Sequence, residues 1–283
     1  MFRSCDANYT WVKRCTREAI NVDDATEREG RSANERLEQA CLRGNMYIVK
    51  KILKQETVHD TNLYLECACE GGHRDIVNLL IERGAHCWNW GLKGACKGGH
   101  LDMAKFIINK YGPQMSANDW NCSLESACLG GHLDLAMLMI ERGANDWNDG
   151  LEGACLGGHR DLAMLMIERG ANYWNHGLHG ACKGGHHDLA MLMIDHGAYY
   201  WDWGLSCACF GGHLDIVMLM IERGANHWNW GLCGACEGGH LDLAMLMIER
   251  GANNWNQGLE CACSGGHHDL VNLMIQHGAT NES

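Results

Sequence analysis

Apolar positions recur along this chain in short blocks of nearly constant sequence. The run LAMLMI appears four times, each time after Gly-Gly-His and before an acidic residue that is soon followed by a glycine. Such a run predicts a helix of about two turns with a broad buried face. In the copy that follows Trp147, Asp161 lies in the first turn of this helix and Gly170 follows its end, as the helix dipole and a left-handed C-cap favour.

A second apolar pattern precedes each of these runs. The text GLEGACLGG predicts another helix over about 149–156, with Asn148 as its N-cap and the glycine pair 157–158 at its end. Two helices of about two turns each cannot form a core alone, so stability has to come from the stacking of similar pairs.

The helix pairs repeat with a strict period. Six tryptophans lie 27 residues apart, at Trp120, Trp147, Trp174, Trp201, Trp228 and Trp255. A five-residue insertion lies around Tyr111-Gly112-Pro113. We predict an array over 36–283 with nine units, near 36–60, 61–87, 88–119, 120–146, 147–173, 174–200, 201–227, 228–254 and 255–283. Residues 1–35 do not repeat and are expected to form an N-terminal cap or a separate docking segment.

The unit GLEGACLGGHRDLAMLMIERGAN resembles the helix-turn-helix part of an ankyrin repeat. The resemblance implies an all-α, ankyrin-like solenoid of about nine repeats. Ankyrin repeats usually have about 33 residues and carry Thr-Pro-Leu-His, whereas these have 27 and carry Trp-Asn-x-Gly-Leu. The missing residues fall in the β-turn finger, so the fingers are expected to be shortened or absent. Compact repeats of this kind resemble those of large DNA viruses of amoebae.

Charge and composition narrow the functional classes. A formal net charge of −12 without a Lys or Arg stripe opposes binding to nucleic acid. No apolar run approaches the roughly 20 residues that span a bilayer, and the first residues lack the apolar stretch of a secretory signal. We expect a soluble monomer in a cytoplasm-like compartment, which would be the host cytoplasm for a viral protein, with reduced thiols.

No motif in the sequence indicates a catalytic centre or a cofactor. Nucleotide-cradling loops, the HExxH zinc motif and the Gly-x-Ser-x-Gly elbow do not occur. A histidine follows the Gly-Gly turn in eight units, and eight equivalent catalytic histidines would be hard to explain. The resemblance to ankyrin repeats implies a structural histidine that bonds to backbone at the turn.

The cysteines form a second ladder with one member in each unit. Equivalent positions in neighbouring units are expected about 8 to 10 Å apart, the spacing of packed helices. A disulfide needs Cα atoms within about 7 Å, so we interpret the ladder as small core residues that bind no metal ion. Cys233 and Cys236 are three residues apart on one predicted helix and could contact one ion. With exposed thiols such as Cys87 and Cys122, they support an alternative function as a metal or redox buffer.

Positions that vary between otherwise near-identical units mark the predicted binding surface. Residues 149, 152 and 156 have the i, i+3, i+7 spacing of one face of the first helix. In ankyrin-like solenoids this face lines the concave groove. Aromatic residues argue against free drift there, because they anchor interfaces. With the turns before the repeated tryptophans, the predicted partner-binding residues are Trp90, His176, Trp203, Trp230, His179, Phe210, Tyr173, Tyr200 and His227.

Two further rows each allow two interpretations. The repeated tryptophans either seal the joints between units or form an aromatic binding stripe. Methionines occupy a second-helix position that is usually a solvated lysine in ankyrin repeats, and they form either a second, exposed apolar surface or a more deeply buried row. These residues are Met137, Met164, Met191, Met218 and Met245.

The predicted function is a non-enzymatic scaffold that binds a protein partner on the concave first-helix face. The alternatives are the metal or redox buffer and a structural component of an assembly.

Overall fold

A computed structural model describes residues 33–55 and 61–280, in which 18 α-helices follow one another as nine pairs. The first helices of the pairs are α1 (Ala33–Leu42), α3 (Asn62–Glu70), α5 (Trp88–Lys97), α7 (Ala117–Gly130), α9 (Trp147–Gly157), α11 (Trp174–Gly184), α13 (Trp201–Gly211), α15 (Trp228–Gly238) and α17 (Trp255–Gly265). The second helices are α2 (Met46–Gln55), α4 (Arg74–Glu82), α6 (Leu101–Tyr111), α8 (Leu133–Glu141), α10 (Arg160–Glu168), α12 (His187–Asp195), α14 (Leu214–Glu222), α16 (Leu241–Glu249) and α18 (His268–Gln276).

The predicted all-α, ankyrin-like solenoid of about nine repeats is confirmed for the described residues. Three residues without regular structure, such as 144–146, connect one pair to the next, and no strand occurs in the described ranges. The predicted N-terminal segment 1–35 lies almost entirely outside these ranges. The insertion extends α6 and adds a 3₁₀ turn, Gly112–Gln114, before α7. None of the described helices has the length and apolarity needed to cross a membrane.

Neighbouring first helices approach each other closely through glycine. A Cβ atom on Gly153 would lie only 2.6 Å from the carbonyl oxygen of Glu125, and one on Gly180 would lie 2.6 Å from that of Glu152. Second helices of neighbouring units lie farther apart from each other than first helices do. The first helices therefore form the more tightly packed layer of the array.

The Gly-Gly-His turns also join neighbouring units. In the turn after α11, Gly185 has a φ of 81°, and a Cβ atom there would lie 2.4 Å from Cε1 of His213 in the next unit. The Nε2 of His213 donates to the carbonyl oxygen of Lys183, 3.1 Å away. The predicted structural role of this histidine is confirmed, and the backbone that it bonds belongs to the preceding unit.

The predicted N-cap role of Asn148 is wrong. Helix α9 begins at Trp147, two residues before the predicted start at 149, and the side chain of Asp146 accepts the capping hydrogen bond from the backbone N–H of Asp149. The Oδ1 atom of Asn148 instead accepts hydrogen bonds from the backbone N–H groups of Asn172 (2.9 Å) and Tyr173 (3.0 Å) in the next connection. Equivalent contacts are made by Asn62, Asn121, Asn175, Asp202, Asn229 and Asn256. This row holds most of the connecting turns in the described residues, where a β-hairpin finger would otherwise stand.

The repeated tryptophans are packing groups. Trp174 stacks on His196 with ring centroids 4.5 Å apart, and the guanidinium of Arg169 lies 5.8 Å from the ring centre of Trp147. These contacts join the start of the first helix to the end of the second helix within one unit. These contacts show packing inside a unit, whereas the sequence predicted a seal between one unit and the next.

The cysteine ladder is buried from Cys41 to Cys236, and only its last member, Cys263, is exposed. Its interpretation as core is confirmed for the buried members. Burial raises the pKa of the Cys69 thiol to about 12, helped by the nearby Glu66, so this thiol stays protonated at neutral pH.

The proposed ion contact of Cys233 with Cys236 is wrong. Cys233 is bonded to Cys261 in a disulfide with a Cα–Cα distance of 5.6 Å, and Cys236 is buried and free. Cys261 occupies the position that is Gly153 and Gly180 in other units, where neighbouring first helices are in close contact. The expectation of reduced thiols also fails at this pair, and such bonds are rare in a cytoplasm.

Candidate partner-binding surface

Most of the predicted binding residues lie on three consecutive first helices or in the connections before them. α11, α13 and α15 carry His176, His179, Trp203, Phe210 and Trp230, and the connections carry Tyr173, Tyr200 and His227. The side chains of Tyr173, Tyr200 and Trp230 are 57%, 49% and 51% exposed, respectively. We call this set, without Phe210, the aromatic face.

Glu152 on α9 holds the two histidines of the aromatic face. Its Oε1 lies 2.7 Å from Nδ1 of His179 and its Oε2 lies 3.2 Å from Nδ1 of His176. Burial alone would raise the pKa of Glu152, but the hydrogen bonds from both histidines and their charges lower it to about 2. The same contact raises the pKa of His176, against the effect of its partial burial. The carboxylate is therefore ionised throughout the physiological pH range.

The two histidines in turn hold the ring of Trp203 in place. The ring of His179 stacks on the indole at 4.4 Å, and the ring of His176 meets it edge-on at 5.5 Å. Tyr173 lies 5.6 Å from His176 on the other side. Four of the predicted residues thus form one contiguous group that spans α11 and α13.

A second group surrounds Trp230 on α15. The ring of His227 lies 5.1 Å from the indole, and Nε2 of His227 lies 4.0 Å from Oδ2 of Asp202. The hydroxyl of Ser206 donates to the carbonyl oxygen of Trp230 at 3.1 Å, which ties α15 to α13. Tyr200 packs edge-on against Tyr199 at 4.7 Å.

Two predicted residues stand apart from these groups. Phe210 is partly buried, and the ammonium of Lys183 lies 4.9 Å from its ring centre. Trp90 is 39% exposed but lies on α5, four units before α13. The structure therefore brings seven of the nine predicted residues into or beside the two groups and leaves these two outside them.

Carboxylates border the aromatic face on its N-terminal side. Burial raises the pKa of Glu125 to about 7; Lys93 opposes this shift, and Asp149 and Glu152 add to it. The pKa of Asp149 is also raised, by burial first and then by its acidic neighbours. In the described ranges, no group of three or more His, Cys, Asp or Glu side chains is arranged to hold a metal ion.

Tyr199 and Asp202 were not predicted for this surface, and Glu152 and Ser206 were placed on the varying helix face but not among the predicted binding residues. Glu152 precedes His179 by 27 residues, so the period alone could have paired them. Tyr199 occupies a position that is asparagine in most other units, and Asp202 replaces the asparagine that holds the connecting turn. Departures from a nearly invariant text were the available signal for both.

The methionine row lies on the second helices and is only partly exposed. Met218 and Met245 are 37% and 48% exposed, whereas Met137, Met164 and Met191 are partly buried. Leu214 and Leu241 are exposed one helical turn before Met218 and Met245. The row thus combines the two interpretations, with the exposed members at its C-terminal end.

No protein-family model matches the chain, and no curated protein matches it. Among solved structures, the human ASB11 ankyrin repeat domain is similar at 23% sequence identity and a TM-score of 0.39, over 67% of this chain and 98% of that chain. We base no inference on a likeness of this size and draw the functional proposals from the residues of this chain.

Proposed function

We propose that this chain is a non-enzymatic scaffold that binds a protein partner on the aromatic face. The observation that carries the proposal is the exposure of Tyr173, Tyr200 and Trp230 in or beside aromatic groups on neighbouring helices of one packed array. Large exposed aromatic side chains supply much of the binding energy at interfaces when a partner covers them.

The support beneath these side chains favours binding as well. Trp203 is held by His179, which Glu152 holds in turn, and Trp230 is carried by a backbone that Ser206 fixes. A side chain that is ordered before the partner arrives loses less conformational entropy on binding. The aromatic face is in this sense preorganised.

The alternative of a metal or redox buffer has less support from these residues. Most cysteines in the described ranges are buried. Burial raises the pKa of Cys207 and Cys209 to about 12, which leaves almost none of the thiolate that binds metals and reacts with oxidants.

Proximity labelling in cells tests the scaffold function. We expect the double variant Trp203→Ala/Trp230→Ala to lose a defined set of labelled proteins that the unaltered chain retains. The matched control is Leu214→Ala/Leu241→Ala, which removes two exposed apolar side chains from the second helices α14 and α16. Circular dichroism establishes that each variant is folded. Identical labelling by all three proteins would refute binding on the aromatic face.

A further inference from the structure

The chemistry of the aromatic face also restricts its partner. We infer that the occupant is a peptide segment rich in lysine and arginine, whose cationic side chains lie against the exposed indole of Trp230 and the carboxylates next to the aromatic face. This inference rests on the proposed function and specifies the class of partner.

The indole ring of Trp230 is accessible to a cation from a partner. The chain places its own cations over aromatic rings elsewhere: the guanidinium of Arg74 lies 4.0 Å from the ring centre of Phe106, and that of Arg250 lies 5.8 Å from the ring centre of Trp228. Trp230 is half exposed, and its ring neighbour is His227. An indole face attracts a cation more strongly than the other aromatic side chains do, so a guanidinium or ammonium group from a partner suits this position.

Asp202 places a carboxylate beside His227 and Trp230. Its Oδ1 accepts backbone hydrogen bonds from Asn226 (2.7 Å) and His227 (2.9 Å), which fixes the carboxylate at the edge of the aromatic face. Its Oδ2 lies 4.0 Å from Nε2 of His227, whose ring in turn lies beside Trp230. Asparagine is sufficient for the turn contact in other units, so the extra negative charge of Asp202 is not needed to hold the turn.

Carboxylates at the start of α9 give the first-helix layer a negative charge next to the aromatic face. Asp146, Asp149 and Glu152 precede the aromatic groups, and Glu152 remains ionised. Two lysines of the same helix layer contact groups of the chain itself, because Lys97 lies 2.8 Å from Glu70 and Lys183 lies over Phe210. A third, Lys93, lies near enough to Glu125 to oppose the rise of its pKa. With a net charge of −12, the chain attracts a basic segment at long range and repels an acidic one.

A random peptide library displayed on phage tests the inference. The library is selected separately on the unaltered chain, on Trp203→Ala/Trp230→Ala and on the control Leu214→Ala/Leu241→Ala. We expect the peptides enriched by the unaltered chain and the control, but not by the tryptophan variant, to carry excess Lys and Arg. Tryptophan-dependent peptides that are neutral or acidic would overturn the basic-segment inference while supporting the scaffold function. If no peptide depends on the tryptophans, the inference fails, and proximity labelling decides the scaffold function separately.

The charge is then tested with one synthetic peptide chosen from the enriched set. Asp202→Asn removes the charge and keeps the turn contact, since asparagine makes it in neighbouring units. We expect this variant to weaken binding about three- to tenfold at low salt, with a smaller effect at high salt, because exposed charges are screened. The control Asp215→Asn makes the same charge change on α14 and should alter affinity less than about twofold. Equal affinities of the two variants would overturn the role of Asp202 and with it the basic-segment inference.

Discussion

The imidazole of His179 lies nearly flat on the indole of Trp203, with ring centroids 4.4 Å apart and ring planes 17° from parallel. The two residues belong to neighbouring units, and Glu152 in a third unit fixes the histidine through a 2.7 Å contact. The position of the partly buried Trp203 ring therefore depends on three consecutive first helices. The aromatic face is a property of the stacked array and would not exist in an isolated repeat.

The contact of Glu152 with His176 and His179 should make stability depend on pH. The pKa of Glu152 is lowered from 4.5 to about 2, so its contribution is present above pH 4.5 and is lost as the pH falls toward 2. The pKa of His176 is raised above 6.5, so its contribution is present below pH 6.5 and is lost as the pH rises through the raised value. Glu152→Gln should thus cost most between about pH 4.5 and 6.5, by roughly 1 to 2 kcal/mol.

Urea unfolding across that pH range measures the difference between the two proteins. The exposed Glu141 at the end of α8 provides the control substitution Glu141→Gln, which should shift stability by less than about 0.5 kcal/mol. A difference between Glu152→Gln and the unaltered chain that stays constant over the whole range would contradict this prediction.

The same substitution one unit earlier should have the opposite effect. Burial raises the pKa of Glu125 from 4.5 to about 7, so the folded chain retains a proton that the unfolded chain has released between these values. Stability is therefore lost as the pH rises from 4.5 to 7, and Glu125→Gln should stabilise the protein above pH 7 by roughly 1 to 3 kcal/mol. Below pH 4 the gain should vanish. Thermal unfolding at pH 4 and pH 8 distinguishes this outcome from a pH-independent change.

The row of asparagines that holds the connecting turns yields a prediction with a built-in rescue. Asn148→Ala removes the acceptor for two backbone N–H groups and should cost about 1 to 3 kcal/mol. Asn148→Asp retains an acceptor, as Asp202 does in its own unit, and should remain within about 1 kcal/mol of the unaltered chain. Chemical denaturation of the three proteins measures this. If Asn148→Asp lowers the free energy of unfolding as much as Asn148→Ala does, the turn contact does not explain why this residue recurs in successive units.

The disulfide between Cys233 and Cys261 should stabilise the C-terminal end of the array. The two residues are 28 positions apart and lie in the last two units, so Cys233→Ser frees α17 and α18 from a covalent link. We expect their amide protons to exchange faster, by an amount equivalent to about 2 to 4 kcal/mol, with the first units unaffected because repeats contact only their neighbours. Hydrogen exchange read out by mass spectrometry resolves the segments. The control is Cys263→Ser, an exposed free thiol, and equal exchange in both variants would argue against the prediction.

The sequence by itself determined the repeat, the two helices of each unit and the residues that fill the core. These follow from local periodicity, because apolar spacing and glycine positions specify short helices and their ends without knowledge of neighbouring units. It also located most residues of the aromatic face, since they vary within a nearly constant repeat sequence. The period could not say what a repeated polar residue contacts, and so Asn148 was expected to cap its own helix.

Only the tertiary structure decided how closely neighbouring units approach. Glycines such as Gly153 and Gly180 let neighbouring first helices come into close contact, and this packing brings Glu152 to His179. Where Cys261 stands in place of the glycine, its side chain bonds to Cys233 of the preceding unit. Sequence spacing sets which residues share a rung, but the separation of the rungs depends on the packing of both helices at once. The amino-acid sequence thus determined the repeat units, and the packing of those units determined which side chains come into contact between them.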